Sequence, residues 1–146
     1  MEQAKKHLKW TSIALLALAA ASLLQLISEL AFGELNNAEI PAGSPDYILM
    51  LTKVILLVVA LVMLCPQVYV GVKGLLIVKA PNASKGHIIW AIILLAFTVV
   101  DILSPALALV SQENVSDNLS YLLSGLVEIS VYFDYIKYAR EIAKEC

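Results

Sequence analysis

Glu29, Lys53, Asp101 and Glu128 each stand inside a long apolar run, and that placement gives them chemical interest. A charged side chain at the centre of a bilayer costs roughly 2.5–3.5 kcal/mol on insertion scales, so such groups turn toward a bundle interior or a water-filled cavity. One amine cannot balance two or three carboxylates. The surplus carboxyl must be protonated, hydrated or paired with something from outside the chain. Desolvation and a like-charged neighbour both favour the protonated form of a carboxyl. One proton shared between Asp101 and Glu128 is therefore an expectation with a chemical meaning: a proton or ion site. The competing expectation is structural, with Lys53 ion-paired to Asp101 or Glu128 and fixing which helices are neighbours.

Positions i, i+3, i+4 and i+7 share one side of a helix. In the first run this groups Thr11, Ala14, Leu18, Ser22, Gln25 and Glu29, and in the second Lys53, Ala60, Gln67 and Gly74 at steps of seven. In the third it groups Thr98, Asp101, Ser104, Pro105 and Ala108, and in the fourth Tyr121, Ser124, Gly125, Glu128, Tyr132 and Tyr135. Each run thus has one polar seam, with Gln25, Thr98, Ser104 and Ser124 as the expected supporting groups around the charges. Pro105 has no backbone N–H and crowds the preceding turn, which predicts a kink beside Asp101 and freed carbonyls there. Pro66 predicts another beside Gln67.

The elements that must position these side chains are long. A hydrocarbon core of about 30 Å takes about 20 apolar residues as a helix. Four segments meet that length, at about 10–32, 47–70, 87–110 and 119–139. Counted from their outer ends at about 1.5 Å per residue, Glu29 lies about 5 Å deep, Lys53 about 9 Å, and Asp101 and Glu128 about 13 Å. Of 146 residues, 60% are hydrophobic and 15% charged, where soluble domains carry about 25% charged residues. The expected fold class is all-α: an integral membrane four-helix bundle forming a single domain over residues 1–146. The basic N-terminus resembles the start of a signal peptide, but apolar sequence continues to Phe32, longer than a signal core. An uncleaved first helix is expected. Cys65 and Cys146 suit no disulfide.

Charge sets an orientation. Lys5, Lys6 and Lys9 precede the first run; Lys73, Lys79 and Lys85 join the second to the third; Lys137, Arg140 and Lys144 close the fourth. The other two connections hold Glu34, Glu39, Asp46, Glu113 and Asp117. By the positive-inside rule both termini and the middle connection are cytoplasmic, in a multi-pass plasma-membrane protein. Only Lys53 among the 10 basic residues breaks the sorting. Trp10, Trp90, Tyr69, Tyr135 and Tyr138 then fall at the cytoplasmic interface, and Tyr47 and Tyr121 at the outer one.

Other chemistry is thin. There is no HExxH, no GxSxG, no phosphate-binding glycine loop and no paired CxxC. Ser104 and Ser124 lack a histidine at matching depth, so a serine nucleophile is unsupported. His7 and His87 are expected as solvated interface residues, and neither a metal nor a cofactor is expected. Asp134 and Lys137 read as a helical pair worth roughly 0.2–0.5 kcal/mol. Asn114-Val-Ser116, Asn118-Leu-Ser120 and Asn82-Ala-Ser84 all match the glycosylation pattern, on both expected faces, so the pattern discriminates little. Basic residues interleaved with aromatics at helix ends suit a bilayer rather than nucleic acid. Lipid, and a second copy or another membrane protein, are the expected partners, because so short a chain encloses little volume.

The stretch Gly71-Val-Lys73-Gly74 through Lys79-Ala-Pro-Asn-Ala-Ser-Lys85-Gly-His87-Ile-Ile-Trp90-Ala-Ile-Ile-Leu, within residues 71–94 of 146, resembles the cytoplasmic hairpin of small uncharacterised membrane proteins from anaerobic Gram-positive bacteria. The resemblance implies a bacterial plasma membrane and no activity. Small multidrug transporters fit less well, since their essential Glu lies in mid first helix and Glu29 is near an end. The leading functional expectation is a non-enzymatic accessory or regulatory subunit acting through helix contacts. The alternative is a small ion- or proton-coupled transporter or channel using Asp101 and Glu128, with Lys53 as internal counter-ion. A membrane enzyme comes third, lacking a histidine or metal beside the charges.

Overall fold

The computed structural model describes residues 2–32, 47–81, 84–111 and 115–145. Five helices account for nearly all of them: α1 Glu2–Phe32, α2 Tyr47–Lys79, α3 Gly86–Asp101, α4 Leu103–Val110 and α5 Val115–Glu145. Helices α3 and α4 are two halves of one rod over Gly86–Val110, which makes four helices long and apolar enough to cross a membrane. The acidic residues Glu34, Glu39, Asp46 and Glu113 of the connections, with Asn82, Asn114 and Cys146, lie outside the described residues.

The rods pack as a square. Helix α1 lies against α2 and α5, α3 against α2 and α5, and α4 against α5. Most of the fully buried side chains gather toward the end where the chain begins and finishes. Leu8, Leu15, Val70, Tyr132, Tyr135 and Ile142 are closed off there. Three of the four rods run past the expected apolar segments at this end, and the extensions keep burying residues: Ala4 and Leu8 on α1, Ile77 on α2, Ile142 on α5. An apolar-run count finds the length that suits hydrocarbon. An amphipathic continuation needs only one stripe of apolar residues, so it escapes that count.

Two glycines of α2 permit close approach of its neighbours. A Cβ at Gly71 would lie 2.8 Å from Leu16 Cγ, and one at Gly74 would meet Ser12 Oγ and stand 2.6 Å from Tyr135 Cε2. Helices α1, α2 and α5 therefore touch at Gly74, as small residues allow in lipid. The buried face of α1 is Ala4, Leu8, Ser12, Leu15 and Ala19. That face is turned by one position, about 100°, from the expected seam through Thr11 and Gln25. Thr11, Ala14 and Leu18 are half-buried, and Ser22 and Gln25 are exposed. The reason is visible at Thr11, whose hydroxyl lies 3.1 Å from the carbonyls of His7 and Leu8. A hydroxyl satisfied on its own helix has no need of a neighbour, so polarity alone is a poor guide to the inward face.

Candidate functional site

The site starts at Pro105. Proline offers no N–H, so the Asp101 carbonyl has no donor four residues on. The bonds on either side survive, with the Ile102 N–H donating to Thr98 O and the Ala106 N–H to Ile102 O, both at 3.1 Å. Ile102, between α3 and α4, keeps helical backbone at φ −75° and ψ −13°, so the two stay one rod and the local mark of Pro105 is the missing bond at the Asp101 carbonyl. Pro66 sits within α2, which runs unbroken from Tyr47 to Lys79.

Helix α5 comes closest to the α3–α4 junction at Gly125, which is buried and where a Cβ would strike Ile102 Cγ2. Glu128, about one turn further along, thereby faces the same two cavities as Asp101. Two cavities meet at this pair. One, of about 430 Å³, lies between the α3–α4 junction and α5, with Ser104, Asn118, Tyr121 and Ser124 in its wall. The other, of about 260 Å³, reaches inward among all four rods and is lined by Ser22, Ala60, Gln67 and Tyr132, among others. Thr98, Asp101 and Glu128 line both.

The surroundings of the pair are rich in acceptors. Thr98 is buried and its hydroxyl donates to Leu94 O at 3.0 Å, and Ser124 donates to Tyr121 O at 3.0 Å. Each oxygen keeps lone pairs for a ligand. The Asp101 carbonyl, with no donor four residues on, adds one more acceptor. Gln67 is 6% exposed, and its amide nitrogen has no hydrogen-bond partner among the described residues. Carboxylate, hydroxyl and carbonyl oxygens are the ligands of hard cations. Among the described residues no three His, Cys, Asp or Glu side chains gather as a metal site.

Asp101, Glu128, Thr98, Ser104 and Ser124 are thus brought together, with Asp101 exposed and Glu128 half-buried. Lys53 is half-buried on α2 and lines neither cavity. The nearest lining residue of α2, Ala60, is seven positions on, about 10.5 Å along the helix axis. The matching depth expected for Lys53 assumed that all four rods end in one plane. In the structure Gln67 of α2, and not Lys53, shares a cavity with Thr98. Gln25 is exposed on α1 and lines neither cavity; Glu29 belongs to α1, but its side chain is not among those described.

His87 departs from its expected place. It is 1% exposed rather than solvated, and neither ring nitrogen has a hydrogen-bond partner among the described residues. Its ring meets Tyr135 edge-on, centroids 6.0 Å apart at 86°, while the Tyr135 hydroxyl donates to Val70 O at 2.9 Å. Reading the face of Asp101 back through Thr98, Leu94 and Ala91 ends on His87, so the helical period held the signal. His7 is exposed and stacks on Tyr138 at 4.7 Å. Lys137 also reaches Tyr138, its Nζ 5.2 Å above the ring. The chain matches no family model, no curated protein and no solved structure.

Proposed function

We propose that this is a non-enzymatic multi-pass protein of a bacterial plasma membrane, with its termini and the α2–α3 connection cytoplasmic. It binds a small cation or a proton between Asp101 and Glu128 and moves it across the bilayer. The observation that supports this reading is that Asp101, Glu128 and Thr98 line both cavities at once, beside a carbonyl freed by Pro105. A carbonyl freed by a proline in a membrane helix can serve a bound ion where it lines a cavity. Lys53 has no part in this version of the site. The test is pH-dependent proton and cation flux in liposomes holding the purified protein, with Asp101→Asn and Glu128→Gln alongside. Loss of a carboxylate ligand is expected to lower flux at least about tenfold, equivalent to about 1.4 kcal/mol. Undiminished flux in either variant removes the reading.

A second reading, a subunit acting through helix contacts, is favoured by Gln25, an exposed amide on a long apolar helix. Side-chain amides in lipid serve as glue between helices. A second copy or another membrane protein would cover it. Gln25→Leu is then expected to weaken association in detergent, seen by light scattering. A wild-type chain that is monomeric throughout sinks this second reading.

A further inference from the structure

We propose that the cavity between α3 and α5 at the end holding the chain termini binds an anionic phospholipid, its phosphate held by Lys85, Arg140 and Lys144. This rests on reading the rods as membrane-spanning with that end cytoplasmic, and is independent of the Asp101–Glu128 site. The cavity measures about 490 Å³, and its floor is Ile88, Ile89, Ile92 and Ala143. Three cations from two rods surround an apolar floor, and among the described residues no acidic side chain lines it. Glu141 and Glu145 directly follow Arg140 and Lys144 on α5 but are not in the cavity wall.

The geometry follows from spacing. Arg140 and Lys144 are four apart and share one side of α5, and the small Ala143 between them leaves room. On α3, Ile88 and Ile92 repeat the same interval beneath Lys85. Ile88 is 6% exposed, whereas Ile89 is 57% and Ile92 39% exposed, so the floor opens sideways, toward where lipid tails would lie. Arg presents a fork that matches two phosphate oxygens, and the lysines add point charges. Basic pockets between membrane helices at the cytoplasmic side suit phosphorylated head groups. A free phosphate would use the cations and leave the isoleucines idle. A phospholipid uses both.

Trp90 follows Ile89 directly and is 44% exposed, which supplies a reporter. In a Trp10→Phe background it is the sole tryptophan of the full chain, which otherwise has 2. The protein is reconstituted into vesicles carrying equal small fractions of acyl-brominated phosphatidylglycerol or acyl-brominated phosphatidylcholine, and Trp90 quenching is compared. The site predicts excess quenching by the anionic lipid. That excess should vanish in Lys85→Gln/Arg140→Gln/Lys144→Gln and persist in Lys5→Gln/Lys6→Gln, which removes charge at the same end but outside the cavity. All five positions lie at or near the surface, so the variants spare the core. Equal quenching by the two lipids overturns the proposal, as does loss of the excess in both variants, which marks a diffuse basic surface. Displacement of the brominated lipid by millimolar inorganic phosphate overturns it in favour of a soluble anion. Absence of quenching by either lipid means the chain is outside the bilayer, and sinks the membrane reading along with the site.

Discussion

Two carboxylates that face the same two cavities are held there by Gly125, the α3–α4 junction and the packing of α5 on α3, so the fold opposes their charge. Anything that sits between them, proton or cation, relieves that opposition and stabilises the folded chain. For the wild-type protein in detergent, thermal stability is expected to rise with the coupling cation, by about 2.7 kcal/mol at a concentration of 100 Kd. Asp101→Asn should raise the ion-free melting temperature and erase the dependence; a melting curve indifferent to every cation and to pH would leave the pair without a ligand. In the packed layer, Tyr135→Phe gives up the bond to Val70 O and should cost about 0.6–1.5 kcal/mol. His87→Leu removes two unpartnered nitrogens at similar volume and should be neutral or stabilising, since an unpaired buried polar group costs about 1–3 kcal/mol. Unfolding in mixed micelles checks both, and a clear loss for His87→Leu would show that its nitrogens are engaged. Asp101, Glu128 and Thr98 were legible from sequence because helical period and a charge in an apolar run point the same way. His87 was not, because it lies one residue inside an apolar boundary and was read as interfacial from that boundary alone. Lys53 enters the expected set as a charge in an apolar run at similar estimated depth, and in the structure it lines neither cavity.

Among the elements, the α3–α4 junction is the one with chemical consequence. Pro105→Ala restores a backbone donor to the Asp101 carbonyl and completes the hydrogen bonding of the rod over Gly86–Val110, and removing a mid-helix proline is worth up to about 3 kcal/mol. The expected outcome is a more stable protein with a slow-exchanging amide at position 105 and reduced flux, read by hydrogen exchange and the liposome assay. Greater stability with full flux would mean the freed carbonyl is incidental to transport. Gly125→Val acts on the same junction from α5, where its side chain collides with Ile102, and overpacking of this kind costs about 1–3 kcal/mol. The existence of all four rods could be read directly, since each contains a run long enough to span hydrocarbon. Their ends on the side of the termini could not, because residues such as Leu8, Ile77 and Ile142 bury a narrow stripe beyond the apolar runs. The face of α1 was misjudged for the reason Thr11 shows: its hydroxyl is satisfied within the helix.

Across the whole molecule, the tightest packing and the two cavities shared by Asp101 and Glu128 are separated along the helix axes. Leu8, Val70, Tyr135 and His87 close the end that holds the termini, and the two cavities flanking Asp101 and Glu128 lie toward the opposite end. In the proposed orientation, with the termini in the cytoplasm, the proposed ion site would open outward and a layer of buried side chains would stand between it and the cytoplasm. On the proposed transport function, passage would require that layer to open, and Gly74, where α1, α2 and α5 touch, lies within it. Thiol access tests both the orientation and the closed side. In a Cys65→Ser/Cys146→Ser background, Ser104→Cys and Ser124→Cys in the cavity wall should react with an impermeant reagent added to intact cells. Ser84→Cys, between α2 and α3, should react only after permeabilisation. The coupling cation should slow labelling of Ser124→Cys, because the residue shares its cavity with Glu128, and leave Ser84→Cys unchanged. Labelling of Ser84→Cys from outside would invert the topology and move the lipid-binding end to the outer leaflet. Equal labelling of the cavity positions from both sides would show instead that the packed layer does not seal, and that the protein conducts without an opening step.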